Sequence, residues 1–270
     1  MMLVIGMELT GEDFRRVRRY PKAVIAATAG QLIILPLLAG VLALGLDPSP
    51  HIVAGMILVV SSPGGAISNY YCYLSGDNVA LSVTLTAVST VLAFASLPLL
   101  TALGFQLLLG EQESPPLPVG FMAAQLLVIL LLPTLAGMWI RYRWPGPVLR
   151  RAVLWRRFSM LALAVLVAFV FLDQAQAVGE RIGQLLLVTL LFTLLAMAAG
   201  EATGRIAGLG PRDRFSFLVE YAARNLGIAT VVGVTLLGRT EFVVFAAAFF
   251  IIQVPLMLAA VVLRRRRAAG

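Results

Sequence analysis

SSPGGAISNYYCYLSGDNVALSVTLTAVST, residues 61–90, is apolar enough for a membrane, yet it carries Pro63-Gly64-Gly65 and then Ser68, Asn69, Asp77, Ser82 and Thr86. Peptide groups released from helical hydrogen bonding at bilayer depth are costly unless they line a cavity enclosed by protein or filled with water. A broken helix followed by polar side chains therefore points to a binding site inside a membrane, as transporters build them.

Composition agrees. Of 270 residues 60% are hydrophobic and 13% charged, with a mean hydropathy of +0.94, which would leave a soluble domain more apolar surface than it could bury. A bilayer crossing takes about 20 apolar residues. Blocks of that length lie near 22–46, 50–75, 79–109, 117–140, 158–178, 183–204, 214–237 and 240–263, so an all-α polytopic protein with eight full spans is expected. Met1 to Met7 is too short to span, lacks the charged start of a signal peptide, and reads as the end of a helix whose beginning is missing.

The net charge of +8 is explained by placement. Arg15, Arg16, Arg18, Arg19 and Lys22 precede the first full span. Arg141, Arg143, Arg150, Arg151, Arg156 and Arg157 follow the fourth, Arg205, Arg212 and Arg214 the sixth, and Arg264 to Arg267 close the chain. The alternate connections hold only Arg181 and Arg239. The positive-inside rule then puts the basic loops and the C-terminus in the cytoplasm, and no nucleic-acid partner is needed. The terminal arginines read as a stop-transfer anchor rather than a lipid site. Twenty Arg against one Lys, without a targeting peptide, fit a bacterial plasma (inner) membrane.

Catalytic chemistry finds little to work with. Cys72 is the single cysteine, which excludes an intramolecular disulfide or a cysteine metal cluster and suits a small buried residue. His51 is also alone, and carboxylates are not clustered, so neither a membrane-embedded enzyme nor a cofactor is expected.

Internal order is more informative. Residues 22–109 form three spans whose middle one carries Pro63-Gly64-Gly65, and residues 183–263 form three more whose middle one carries Glu220, Arg224 and Asn225. The basic-loop alternation starts the first triplet in the cytoplasm and the second outside, the arrangement of an inverted repeat whose substrate site lies where the middle helices meet. Glu220 sits about ten residues into an apolar run, where an ionised carboxylate costs at least about 2.5–3.5 kcal/mol. Two compensations are open: an ion pair with Arg224 at i+4, or a bound cation.

Ligand types favour a monovalent cation. Ser68 and Asn69 follow the break, and Ser82 and Thr86 share a helix face. Neutral oxygens with one carboxylate suit Na⁺, whereas Ca²⁺ recruits more carboxylates and zinc takes His or Cys. The alternative for Ser82 and Thr86 is back-bonding to their own helix. The half-helix beginning near Ala66 and Ile67 directs free N–H groups and a positive dipole end to the crossing, and Asn225 adds an amide. Both favour an organic anion.

Pro63-Gly64-Gly65-Ala66-Ile67-Ser68-Asn69, then Gly76-Asp77, Ala80-Leu81-Ser82 and Thr86, with Glu220 and Asn225 on a later span, resemble the bile acid:sodium symporter family. Met7-Glu8-Leu9 with Phe14, and Arg19 to Pro36, resemble its stretch leading into the third helix. The resemblance implies two crossing discontinuous helices in a core domain, here 21–110 and 181–264 with breaks at 62–66 and near 220–225. A panel domain, here 1–20 and 116–180, moves against the core, and 265–270 forms a cytoplasmic tail. It implies sodium-coupled symport of a small organic anion (bile-acid-like, pantoate-like or keto-acid-like) by alternating access, with one sodium site at Ser68, Asn69, Ser82, Thr86 and Glu220.

The family's second sodium site uses two Gln. Gln31 matches one, but Arg224 stands at the other, so a fixed guanidinium is expected to replace that cation and leave one Na⁺ per cycle. In a rival role Arg224 binds the substrate carboxylate. Ala66 stands where many relatives have Thr, which removes one hydroxyl from the anion site formed by Ala66, Ile67 and Asn225. Proton coupling through Glu220, uncoupled anion transport and a binding-only homologue are the alternatives. Relatives have ten helices, whereas this chain lacks the first and half of the second. A start codon placed too late is the favoured explanation, with a true truncation as the other.

Overall fold

The computed structural model describes residues 2–110, 119–173 and 175–269, and among them regular structure is helical throughout. Helix α1 is Met2–Glu8 and α2 is Gly11–Arg15, whose start is held by reciprocal hydrogen bonds between Thr10 and Asp13. Pro21 opens α3, Pro21–Leu46, at the position where a missing N–H costs nothing; a π turn at Gly30–Ile34 runs through Gln31. Along α3 the exposed Ile33, Leu37, Val41 and Leu44 share one face, an apolar stripe suited to lipid.

Helix α4, Pro50–Ser61, stops where Ser62 turns extended (φ −70°, ψ 150°), as the residue before a proline prefers. Helix α5, Ile67–Ser75, ends on Gly76 at φ +76°, a left-handed cap open to glycine. Asn78 then starts α6, Val79–Leu108, its side chain accepting from Leu81 N–H at 3.0 Å. Residues 119–143 form α7 with a π turn at Leu127–Leu131, followed by α8, Pro145–Asp173. Helix α9, Ala175–Ile206, contains a non-helical residue, Arg181. The connection placed by hydropathy at 179–182 is therefore a kink within this helix.

Helix α10, Pro211–Ala222, and α11, Leu226–Leu236, are separated by residues 223–225. A 3₁₀ turn leads into α12, Val244–Ala269. Among the described residues five helices are long and apolar enough to cross a membrane: Pro21–Leu46, Val79–Leu108, Ala124–Arg143, Arg181–Ile206 and Thr240–Arg267. Of the other three expected spans, 50–75 and 214–237 are each two half-length helices, and 158–178 falls largely on α8. The protein is an all-α polytopic membrane protein. The second break lies at 223–225, just beyond Glu220, which remains helical.

The two breaks meet. Gly65 N–H donates to Ala223 O at 2.7 Å, Asn225 N–H donates to Pro63 O at 2.9 Å, and Gly64 pairs with Arg224 across the crossing. Peptide groups freed by each broken helix thus find partners on the other, which satisfies the demand for internal hydrogen bonds at membrane depth. The core between α9 and α12 holds the fully buried Phe192, Phe245 and Phe249, with Phe192 edge-on to Phe245 at 6.0 Å.

A candidate ion and anion site at the helix crossing

Glu220 is fully buried on the last turn of α10. Its Oε2 accepts from Ser68 Oγ on α5 at 2.7 Å and from Thr86 Oγ1 on α6 at 3.0 Å. Asn69 stands one bond further out, its Oδ1 accepting from Ser82 Oγ at 2.8 Å and lying 3.4 Å from Thr86 Oγ1. The sequence-predicted set Ser68, Asn69, Ser82, Thr86 and Glu220 is therefore one connected cluster drawn from three helices. Ser82 and Thr86 turn to the cluster instead of back-bonding to α6; that bond is made by Thr84 and Thr90.

Ser89 escaped the sequence reading. Its Oγ donates to Thr86 O at 3.1 Å, accepts from Gly64 N–H at 3.2 Å and lies 3.4 Å from Glu220 Oε1, placing the first break beside the carboxylate. Its signal was present, since Ser82, Thr86 and Ser89 recur at the four- and three-residue steps of one helical face. Gly64 is required by close approach: a Cβ there would overlap the Glu220 carboxylate.

Arg224 does not pair with Glu220. The i+4 argument needs continuous helix, and α10 ends at Ala222, so the backbone turns the guanidinium elsewhere. Its Nη1 donates to Gln31 Oε1 at 2.7 Å, its Nη2 to Val60 O at 3.2 Å and, in a very short contact, to Ser62 O. Nε is buried without a partner. Gln31 and Arg224 are thus brought together as expected, with two carbonyls from the end of α4 that no side-chain pattern could announce. A cation at a helix C-terminus is favourably placed, but every partner is a neutral oxygen.

Ala66 and Ile67 are half-buried at the start of α5, and Asn225 spends its Oδ1 capping α11 through Ile228 N–H at 3.2 Å. Asp77 lies away from the cluster, joined to Arg264 at 2.9 Å, so Arg264 is more than a stop-transfer charge. Cys72 is buried against Ser216 at 3.6 Å. No group of three His, Cys, Asp or Glu suited to a metal occurs among the described residues.

A helical membrane protein whose two broken helices cross at a buried carboxylate surrounded by hydroxyls is the class these observations define. The profile of the Sodium Bile acid symporter family matches residues 1–181, and the chain belongs to that family. A probable sodium/metabolite cotransporter, chloroplastic (BASS2), of Oryza sativa subsp. japonica is 32% identical over 220 residues, 82% of this chain and 51% of the rice protein. The corresponding BASS1 protein of Arabidopsis thaliana is 32% identical over 235 residues, 87% of this chain and 56% of its own. The uncharacterized sodium-dependent transporter YocS of Bacillus subtilis is 36% identical over 141 residues, covering 52% and 42% of the two chains. The chain spans about half the length of the two plant relatives.

Proposed function

We propose that the protein is a secondary transporter that couples Na⁺ to the movement of a small organic anion by alternating access. The observation that carries this reading is Glu220: fully buried, with no cation in ion-pair contact among the described residues, and met by Ser68 and Thr86 at 2.7 and 3.0 Å. An ionised carboxylate in that position needs a cation. Hydroxyl and amide oxygens with a single negative charge suit Na⁺ better than a divalent ion. Relatives named sodium/metabolite cotransporters support the same reading.

One Na⁺ per cycle follows from Arg224. Gln31 Oε1 and the carbonyls of Val60 and Ser62 form an oxygen nest that the guanidinium already fills. Residues 21–110 and 181–264 form the core that holds the ion, residues 1–20 and 116–180 the panel against which it moves, and 265–270 a cytoplasmic tail. The substrate is a carboxylate drawn to the crossing near Ala66, Ile67 and Asn225, and the protein resides in a bacterial inner membrane with its C-terminus in the cytoplasm.

A Na⁺ titration of thermal stability, with K⁺ as control, tests the ion site, because a native-state ligand stabilises by RT ln(1 + [L]/Kd), about 2.7 kcal/mol at 100 times Kd. Saturable, Na⁺-specific stabilisation that disappears in Glu220→Gln is expected. Equal responses to Na⁺ and K⁺ in both proteins would refute the sodium site and leave Glu220 as a proton carrier.

A further inference from the structure

All three tryptophans of the chain, Trp139, Trp144 and Trp155, and six of its twenty arginines lie within residues 139–157. The positive-inside rule sets the side of the membrane for such residues but not what they touch. Elsewhere on that side Arg16 meets Asp13 at 2.9 Å, Arg205 meets Glu201 at 2.8 Å and Arg264 meets Asp77 at 2.9 Å. Between Glu113 and Asp173, by contrast, the sequence holds no acidic residue. Among the described residues no carboxylate is in ion-pair contact with Arg141, Arg143, Arg150, Arg151 or Arg157. These arginines gather at the corner where α7 ends at Arg143 and α8 begins at Pro145.

The side chains of the corner are arranged for a membrane interface. Trp139 and Trp144 meet edge-on at 5.4 Å, and the Arg143 guanidinium lies 5.7 Å over the Trp144 ring, an attraction between a cation and an aromatic face. Both indoles are exposed, at 58% and 46%, and indole favours the boundary between headgroups and hydrocarbon. Along α8, Arg150, Leu154, Arg157, Leu161 and Val165 recur at steps of three and four and so share one face. Its apolar members are each at least 60% exposed, and both arginines are exposed with them, so the guanidiniums lie on the surface that meets lipid. From Phe158 to Leu172 the helix carries no charge for 15 residues, a rise of about 22 Å. That is less than the hydrocarbon core of about 30 Å, which draws Arg157 to the depth of the phosphate layer. A guanidinium holds phosphate oxygens through two parallel N–H bonds. We infer that the α7–α8 corner is a binding surface for anionic phospholipids, with Arg150 and Arg157 on the headgroup phosphate and the tryptophans at the acyl boundary beside it.

Because every tryptophan lies at this corner, intrinsic fluorescence reports on it directly. The full chain is reconstituted in phosphatidylcholine bilayers that carry the same mole fraction of either phosphatidylglycerol or phosphatidylcholine with brominated acyl chains, and quenching of tryptophan emission is measured. Stronger quenching by the brominated phosphatidylglycerol is expected, with a preference that shrinks in high salt. One arginine near an anionic surface is worth about fivefold in affinity, so Arg150→Gln should lower the preference by about that factor and Arg150→Gln/Arg157→Gln should abolish it. Arg265→Gln/Arg266→Gln removes the same charge from exposed arginines at the C-terminus and should leave the preference as in the wild type. Equal quenching by the two brominated lipids, or a wild-type preference in the Arg150→Gln/Arg157→Gln protein, would overturn the inference. An equal fall in the C-terminal variant would overturn it too, because the attraction would then follow net charge rather than this corner.

Discussion

Gly64→Ala places one methyl group where the structure has no room for it. The new Cβ would overlap the Glu220 carboxylate. The backbone cannot retreat, because Gly64 pairs with Arg224, its neighbours Gly65 and Pro63 bond Ala223 and Asn225 at 2.7 and 2.9 Å, and its own N–H reaches Ser89 at 3.2 Å. The carboxylate must therefore swing away from Ser68 and Thr86, at 2.7 and 3.0 Å. Hydrogen bonds to a charged group contribute about 1.5–3 kcal/mol each, so losing one to both removes about 1.5–6 kcal/mol from the arrangement that would hold the ion. At 1.4 kcal/mol per tenfold, the midpoint of Na⁺-dependent thermal stabilisation should rise at least roughly 10-fold. Gly76→Ala supplies the comparison. At φ +76° with nothing within 4 Å of its Cβ, it should lower stability through backbone strain of about 1–2 kcal/mol and leave the Na⁺ midpoint alone. A Gly64→Ala protein with a wild-type Na⁺ midpoint would refute the steric argument.

Arg224→Gln would empty the oxygen nest of Gln31 Oε1 and the Val60 and Ser62 carbonyls that the guanidinium fills, and should create a second, cooperative Na⁺ dependence of thermal stability; an unchanged single-site Na⁺ titration would count against the guanidinium standing in for a second cation. Asp77→Asn removes an ion pair whose acid side chain is only 3% exposed and whose Arg264 reaches both carboxylate oxygens. A loss of about 2 kcal/mol is expected, largely unaffected by salt because buried charges are poorly screened; denaturation at low and high ionic strength measures both.

The sequence made the fold legible where chemistry is local. Pro63 forces Ser62 extended and Gly76 permits a left-handed cap, so the first break falls at 62–66 in both reading and structure. The hydroxyl cluster was legible because Ser82 and Thr86 share a face and Glu220 has no cheap neighbour in an apolar helix. The second break carries no proline or glycine pair in its three residues, and hydropathy alone could not separate Glu220 from it. The carbonyls of Val60 and Ser62 that hold Arg224 were invisible for a different reason: every residue has a carbonyl, and only the crossing of two chain segments 162–164 residues apart selects these two. The kink at Arg181 was missed because a charge in an apolar run reads as a loop, whereas the flanking residues continue as helix.

That same crossing explains why a spacing that suggests an ion pair yields the opposite. Had α10 continued one more turn, Glu220 and Arg224 would neutralise each other on one face and leave nothing for a ligand to compensate. Ending the helix at Ala222 sends the carboxylate toward α5 and α6 and the guanidinium toward α3 and α4. Each charge is then held by neutral groups that reduce its desolvation cost without cancelling it. Opposite charges turned apart in this way leave the carboxylate out of an ion pair, and the short break at 223–225 is the element that separates them. A shortened or helical link there should restore the internal pair and abolish any Na⁺-specific thermal stabilisation.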